Sequence, residues 1–126
     1  MLCMHNIYKT TGQLQTMQAQ RIKYLQEEIE NFPDDPFNYY ALALEYAGSA
    51  PHEAEPFFRK LLDKFPDYLP VYYQAANYYF DKGDIARAED VFLAGISLAE
   101  KQKNEKTLRE LKGSYSIFKA ETDDDL

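Results

Sequence analysis

Tryptophan is absent from this chain, cysteine occurs once, at Cys3, and histidine twice, at His5 and His52. A single cysteine closes no disulfide within the chain, so nothing points to an oxidising compartment. Cys3 and His5 are close enough to share a metal, but a zinc site needs two further ligands that the N-terminal stretch does not offer. No Ser-His-acid or Cys-His arrangement can be assembled from so few histidines and thiols. The five glycines, Gly12, Gly48, Gly83, Gly95 and Gly113, stand singly, so there is no glycine-rich phosphate loop. Paired acids such as Glu27-Glu28 and Asp34-Asp35 sit where helix ends and solvated faces are expected, and read as caps rather than an acid/base pair. No run approaches the roughly 20 apolar residues of a membrane helix. The opening MLCMHNIYKTTGQ lacks the long apolar centre of a secretory signal, so a cytoplasmic location is expected. Positive charge is scarce: 14 Lys and Arg face 21 Asp and Glu, a net charge of -7. That balance argues against a nucleic-acid or anionic-membrane surface. No enzyme activity, cofactor or metal is expected.

What the chain does have is apolar and aromatic periodicity. Its 126 residues suffice for one domain with a modest core, and 45% of them are apolar. Of 11 Tyr and 8 Phe, all but Tyr8 fall between Tyr24 and Phe118. The segment Pro70 to Gly95 organises the rest. Tyr72, Ala75, Ala76 and Tyr79, then Ile85, Ala88, Val91, Phe92 and Ile96, recur at the three-and-four spacing of buried helical stripes. Between them, Gly83 can end the first helix in the left-handed conformation and Asp84 can cap the second. Small Ala76 and Ala88 allow the two helices to approach closely.

Residues 1–13 show no periodicity and read as a flexible arm. A helix is expected over residues 14–31, with Ile22, Leu25 and Ile29 inward and Met17 or Gln18 behind them. Asp34 or Asp35 is a natural cap before Pro36 at a first helical position. A helix from Pro36 to Ala47 buries Tyr39, Leu42, Ala43 and Tyr46. The next, from His52 to Phe65, buries Ala54, Phe57, Phe58, Leu61 and Leu62. A last helix over residues 104–119 carries Leu108, Leu111, Tyr115 and Phe118, and residues 120–126 form an acidic tail. Lys101, Lys103, Lys106, Arg109, Lys112 and Lys119 alternate with Glu100, Glu105 and Glu110, which reads as a solvated face of mixed charge.

The chain repeats itself. Tyr39, Ala43 and Tyr46 recur 33 residues later as Tyr72, Ala76 and Tyr79, while Ala54 and Phe58 recur 34 residues later as Ala88 and Phe92. This pattern resembles the tetratricopeptide repeat family, in particular small bacterial proteins with two repeats between an extra helix at each end. The second copy matches with Tyr72, Ala75-Ala76, Tyr79, Gly83, Ala88 and Phe92, and Gly95 replaces the last Ala of the motif. The first matches with Tyr39, Leu42-Ala43, Tyr46, Ala54, Phe58 and Pro66, and Leu61 departs from that Ala.

The resemblance implies an all-α fold, a right-handed α-α superhelix of about six helices, with one domain over residues 14–119. Repeats are expected over about 36–68 and 69–102, flanked by the helices at 14–31 and 104–119, because one hairpin cannot bury its own apolar face. It also implies a non-enzymatic scaffold whose concave groove holds a peptide or helix segment of a partner protein. By resemblance the groove positions are Phe37, Tyr40, Leu44 and Ala47 in the first copy, and Pro70, Tyr73, Asn77, Phe80 and Asp81 in the second. Asn77 matches a position that grips carboxylates in chaperone-docking relatives, but Tyr73 stands where those clamps carry Lys. An apolar or amphipathic segment therefore suits the groove better than an acidic tail. The alternative is a homodimer formed through the exposed aromatic face.

Overall fold

The structure is a computed structural model that describes the backbone of residues 2–123 and the side chains of residue 12 and residues 14–123. The described residues form six helices and no strand: α1 (Leu2–Asn31), α2 (Pro36–Ser49), α3 (Pro51–Lys64), α4 (Pro70–Lys82), α5 (Ile85–Lys101) and α6 (Glu105–Asp123). The chain groups into two compact units, Met1–Phe57 and Phe58–Leu126, that divide inside α3.

The turns that start the two repeats are built alike, each within its own unit. Phe32 N donates to Glu28 O at 2.8 Å, and Phe65 N to Leu61 O at 2.9 Å. Asp35 N donates to Phe32 O, and Tyr68 N to Phe65 O. The Tyr39 hydroxyl then donates to Pro33 O at 3.0 Å, and the Tyr72 hydroxyl to Pro66 O at 2.6 Å. All three pairs are offset by the 33 residues that separate the first helices of the two copies. Each ring is nearly buried while its hydroxyl satisfies a turn carbonyl that no helix can reach. Burial, and then the neighbouring Asp67 carboxylate, raise the Tyr72 pKa above its ordinary value.

In the first unit, α1 pairs with α2. Leu25 is buried on α1, and Asn38, Tyr39, Leu42 and Ala43 are buried on α2. Asp35 is the cap, its carboxylate accepting from Phe37 N at 3.0 Å, with Pro36 at the first helical position. A polar seam runs beside the apolar one. Gln18 donates to Glu45 at 3.4 Å, Arg21 pairs with Glu45, and Gln26 donates to the Tyr46 hydroxyl at 3.2 Å. Gln18, not Met17, therefore continues the α1 stripe; Met17 is 55% exposed. The α1 backbone is helical from Leu2, whereas the sequence suggested an arm over residues 1–13. No proline precedes Pro33, and the lone Gly12 costs about 1 kcal/mol relative to Ala, too little to end a helix. Farther along, Ala54 is buried and the Phe57 ring stacks on Tyr46 with centroids 5.5 Å apart.

In the second unit, α4 and α5 form the expected hairpin. Gly83 takes φ 89°, its N–H donates to Phe80 O, and Asp84 N donates to Tyr79 O, so the helix ends in a Schellman motif. Asp84 caps α5 by accepting from Arg87 N at 3.2 Å. Ala75, Ala76 and Ala88 are fully buried between the helices. Ile85, expected in the buried stripe, is 41% exposed because it is the first residue of α5, beyond the packed stretch. The α6 helix lies on both α4 and α5. Phe118 meets Phe92 at 5.3 Å and Phe80 at 5.1 Å, and Tyr115 meets Phe92 at 5.8 Å. Asn104 caps α6 by accepting from Thr107 N at 3.1 Å. The helix runs on to Asp123, past the end expected at residue 119, because nothing breaks it: the Thr122 hydroxyl donates to Phe118 O at 2.8 Å and Lys119 bridges to Asp123 at 3.4 Å. Residues 124–126 of the expected acidic tail, like the side chains of Cys3 and His5, lie outside the described residues.

Candidate functional site

The groove positions expected from the sequence form one stripe on α2 and one on α4, while other large apolar side chains, Leu14, Met17 and Tyr24 on α1, Leu93 on α5 and Ile117 on α6, are exposed elsewhere. On α2, Phe37, Tyr40 and Leu44 are spaced three and four apart, which places them on one face. The opposite face holds the buried residues Asn38, Tyr39, Leu42 and Ala43. Phe37 is 58% exposed and Leu44 37%, while Tyr40 is half-buried. Ala47, at the end of the stripe, is half-buried.

On α4, the same face carries Pro70, Tyr73, Asn77, Phe80 and Asp81. Pro70 and Asp81 are exposed and Tyr73 is 38% exposed. The rest of the stripe is taken by α6. The Ser114 hydroxyl donates to Asn77 Oδ1 at 2.9 Å, and Asn77 Nδ2 donates to Tyr73 O at 2.8 Å one turn back. Both ends of that amide are thus engaged within the protein. Phe80 is half-buried and meets the Phe118 ring edge-on. Pro70 and Tyr73 are left as the open apolar part of the α4 stripe, with Asp81 separated from them by about two turns. Nothing in the sequence marks Ser114 as the partner of Asn77, because a serine among solvated helix residues carries no periodic signal.

Elsewhere in the second unit, a polar cleft of about 290 Å³ is lined by Arg59, Leu62, Asp63, Tyr79 and Arg87. The Arg87 guanidinium lies over the Tyr79 ring at 5.3 Å, and the buried Tyr79 hydroxyl pairs with no described group. Asp63 shares the lining with the two guanidinium groups, and Asp84, outside it, bridges to Arg87 at 3.9 Å. Among the described residues no three His, Cys, Asp or Glu side chains gather as a metal site, and no helix is long and apolar enough to cross a membrane.

No family model and no curated protein matches the sequence. Solved structures do. A solution structure and a crystal structure of a tetratricopeptide repeat domain protein from Salinibacter ruber are each 30% identical to this chain, with TM-scores of 0.65. They cover 70% and 69% of this chain and 90% and 98% of their own. The solution structure of a protein from Bordetella parapertussis shares the fold at a TM-score of 0.68 and 21% identity, over 79% of this chain and 88% of that one. With its helical hairpins, its 33-residue turn repeat and these likenesses, the chain belongs to the tetratricopeptide repeat family.

Proposed function

We propose that the protein is a non-catalytic interaction module in which the exposed first-helix residues of each repeat, on α2 in one unit and on α4 in the other, each offer a surface for a short apolar or amphipathic segment of a partner protein. The observation that carries this reading is the exposure of apolar side chains on the first helices of the two copies: Phe37 and its repeat equivalent Pro70, with Leu44 on α2 and Tyr73 on α4. Large apolar groups left in water at regular spacing favour burial against a partner. A tyrosine offers contact area with few rotors to freeze and keeps a hydroxyl for a hydrogen bond. Asn77 and Phe80 contribute by fixing α6 against α4, not by touching the partner. The membership in a family of helical-repeat interaction modules supports the same reading.

A second reading, a homodimer through exposed apolar residues, is favoured by Leu14, Met17 and Tyr24 on α1, which are 60%, 55% and 58% exposed. One set of measurements separates the two. Phe37→Ala and Tyr73→Ala should each reduce capture of a partner from native lysate severalfold with the melting temperature unchanged, while the free protein sediments as a monomer across a dilution series. Capture that survives both substitutions moves the site off these helices. A concentration-dependent dimer that Met17→Ala and Tyr24→Ala dissociate favours the second reading.

A further inference from the structure

We propose that the corner between α5 and α6 is a second docking surface, which binds an acidic, Asp/Glu-rich segment of a partner protein. Residues 101–112 hold five cations, Lys101, Lys103, Lys106, Arg109 and Lys112, against Glu105 and Glu110. This segment has a net charge of +3 in a chain of -7, which leaves -10 on the rest. All five cations are exposed. The spacing of Glu105 with Arg109 and of Lys106 with Glu110 permits helical ion pairs. Yet none of the five side chains makes an ion pair, hydrogen bond or ring contact among the described residues. Of the other described cations, Lys23 and Lys64 stand singly and likewise make no such contact, whereas Arg21 is held by Glu45, Arg87 by Asp84, and Lys119 by Glu89 and Asp123.

The corner is also built to stay in place. Lys103 N donates to Glu100 O at 3.1 Å and Asn104 N to Ala99 O at 3.0 Å, the same Schellman motif that ends α4. Gln102 ties the turn to the carbonyl of Asp67 at 2.9 Å, and Asn104 caps α6. At the α4 end the left-handed position is filled by Gly83, but here Lys103 fills it with φ 58°, the one non-glycine residue at positive φ among the described residues. A lysine there is less stable than glycine. A cation is thus placed on a rigid turn where stability alone would select glycine, beside a helix face that presents Lys106, Arg109 and Lys112.

The shape of the charge selects the partner. Lys106 to Lys112 spans about 9 Å of helix axis, the reach of three extended residues. A nucleic acid or a membrane carries its charge well beyond that span and would meet the strongly negative remainder of the chain. A short acidic segment would not. This surface does not depend on the stripes of α2 and α4.

Fluorescence anisotropy with a labelled hexaglutamate peptide tests it. Saturable binding is expected, weakening as salt rises from about 50 to about 200 mM. Lys106→Gln with Arg109→Gln should weaken it about tenfold, whereas Lys23→Gln with Lys64→Gln, which removes two exposed cations elsewhere, should change it less than about twofold. Lys103→Gly should raise the melting temperature by a few degrees and still weaken binding. Absence of saturable binding, equal losses in the two double variants, or tighter binding of a single-stranded oligonucleotide or of phosphatidylserine vesicles would overturn the proposal.

Discussion

Gly95 lies in the middle of α5, where helix propensity alone would favour alanine, the residue the repeat motif carries there. A Cβ at Gly95 would lie 2.7 Å from Tyr72 Cβ, so α4 leaves no room for a methyl group, and 3.2 Å from Leu111 Cδ1, which would have to give by a few tenths of an ångström. The Tyr72 Cβ cannot move aside without moving its backbone, and its hydroxyl is fixed to Pro66 O. Alanine would gain about 1 kcal/mol of propensity but incur about 1–3 kcal/mol of overpacking. Gly95→Ala should therefore lower the melting temperature. At Gly113, in α6, an added Cβ would meet nothing within 4 Å, so Gly113→Ala should raise it, by the propensity gain of about 1 kcal/mol. Far-UV circular dichroism melts of the two variants check the argument. A Gly95→Ala protein as stable as Gly113→Ala would show that α4 and α5 are not held this closely.

At the scale of elements, the sequence was most informative where one residue type has one geometric use. Asp35, Gly83 and Asp84 stand where their caps and the left-handed turn require them. The repeated Phe-Pro-Asp of residues 32–34 and 65–67 marks both turns and was readable as an internal repeat of its own. Helix extents were less legible, because α1 and α6 continue through residues that are neither apolar-periodic nor breaking. Least legible was the fate of the α4 stripe. Tyr73 and Phe80 are alike in sequence, and only the placement of α6 leaves one open and covers the other with Phe118. The same packing makes α6 indispensable to its unit. A chain ending at Asn104 would expose the faces of Phe92 and Phe80 that now meet Tyr115 and Phe118, a loss of about 3–5 kcal/mol for one large aromatic alone. That chain should aggregate or lose its cooperative melt. A sharp transition at the parent temperature would show that the α4–α5 hairpin does not need the cover.

At the scale of the whole molecule, burial is unevenly shared between the two units. Of the 20 buried apolar side chains among the described residues, five (Leu25, Tyr39, Leu42, Ala43 and Ala54) belong to Met1–Phe57, and the others to Phe58–Leu126. Since burial of apolar area is the main favourable term in folding, local opening should be easiest where it is least. Side chains 14–17 of α1 are all exposed, so the backbone there is held by helical hydrogen bonds with little packing to support them. Each of α4 and α5, by contrast, places at least five residues in the core. Native-state amide exchange should therefore be faster over residues 14–17 of α1 than in its second half and in α2, and slowest in α4 and α5, with the extremes separated by at least about 100-fold. Destabilising the second unit with Gly95→Ala should speed exchange in α4 and α5 and leave residues 14–17 of α1 unchanged. If α1 and α5 instead exchange with one common free energy, the chain opens as a single cooperative body and burial does not set the order of events.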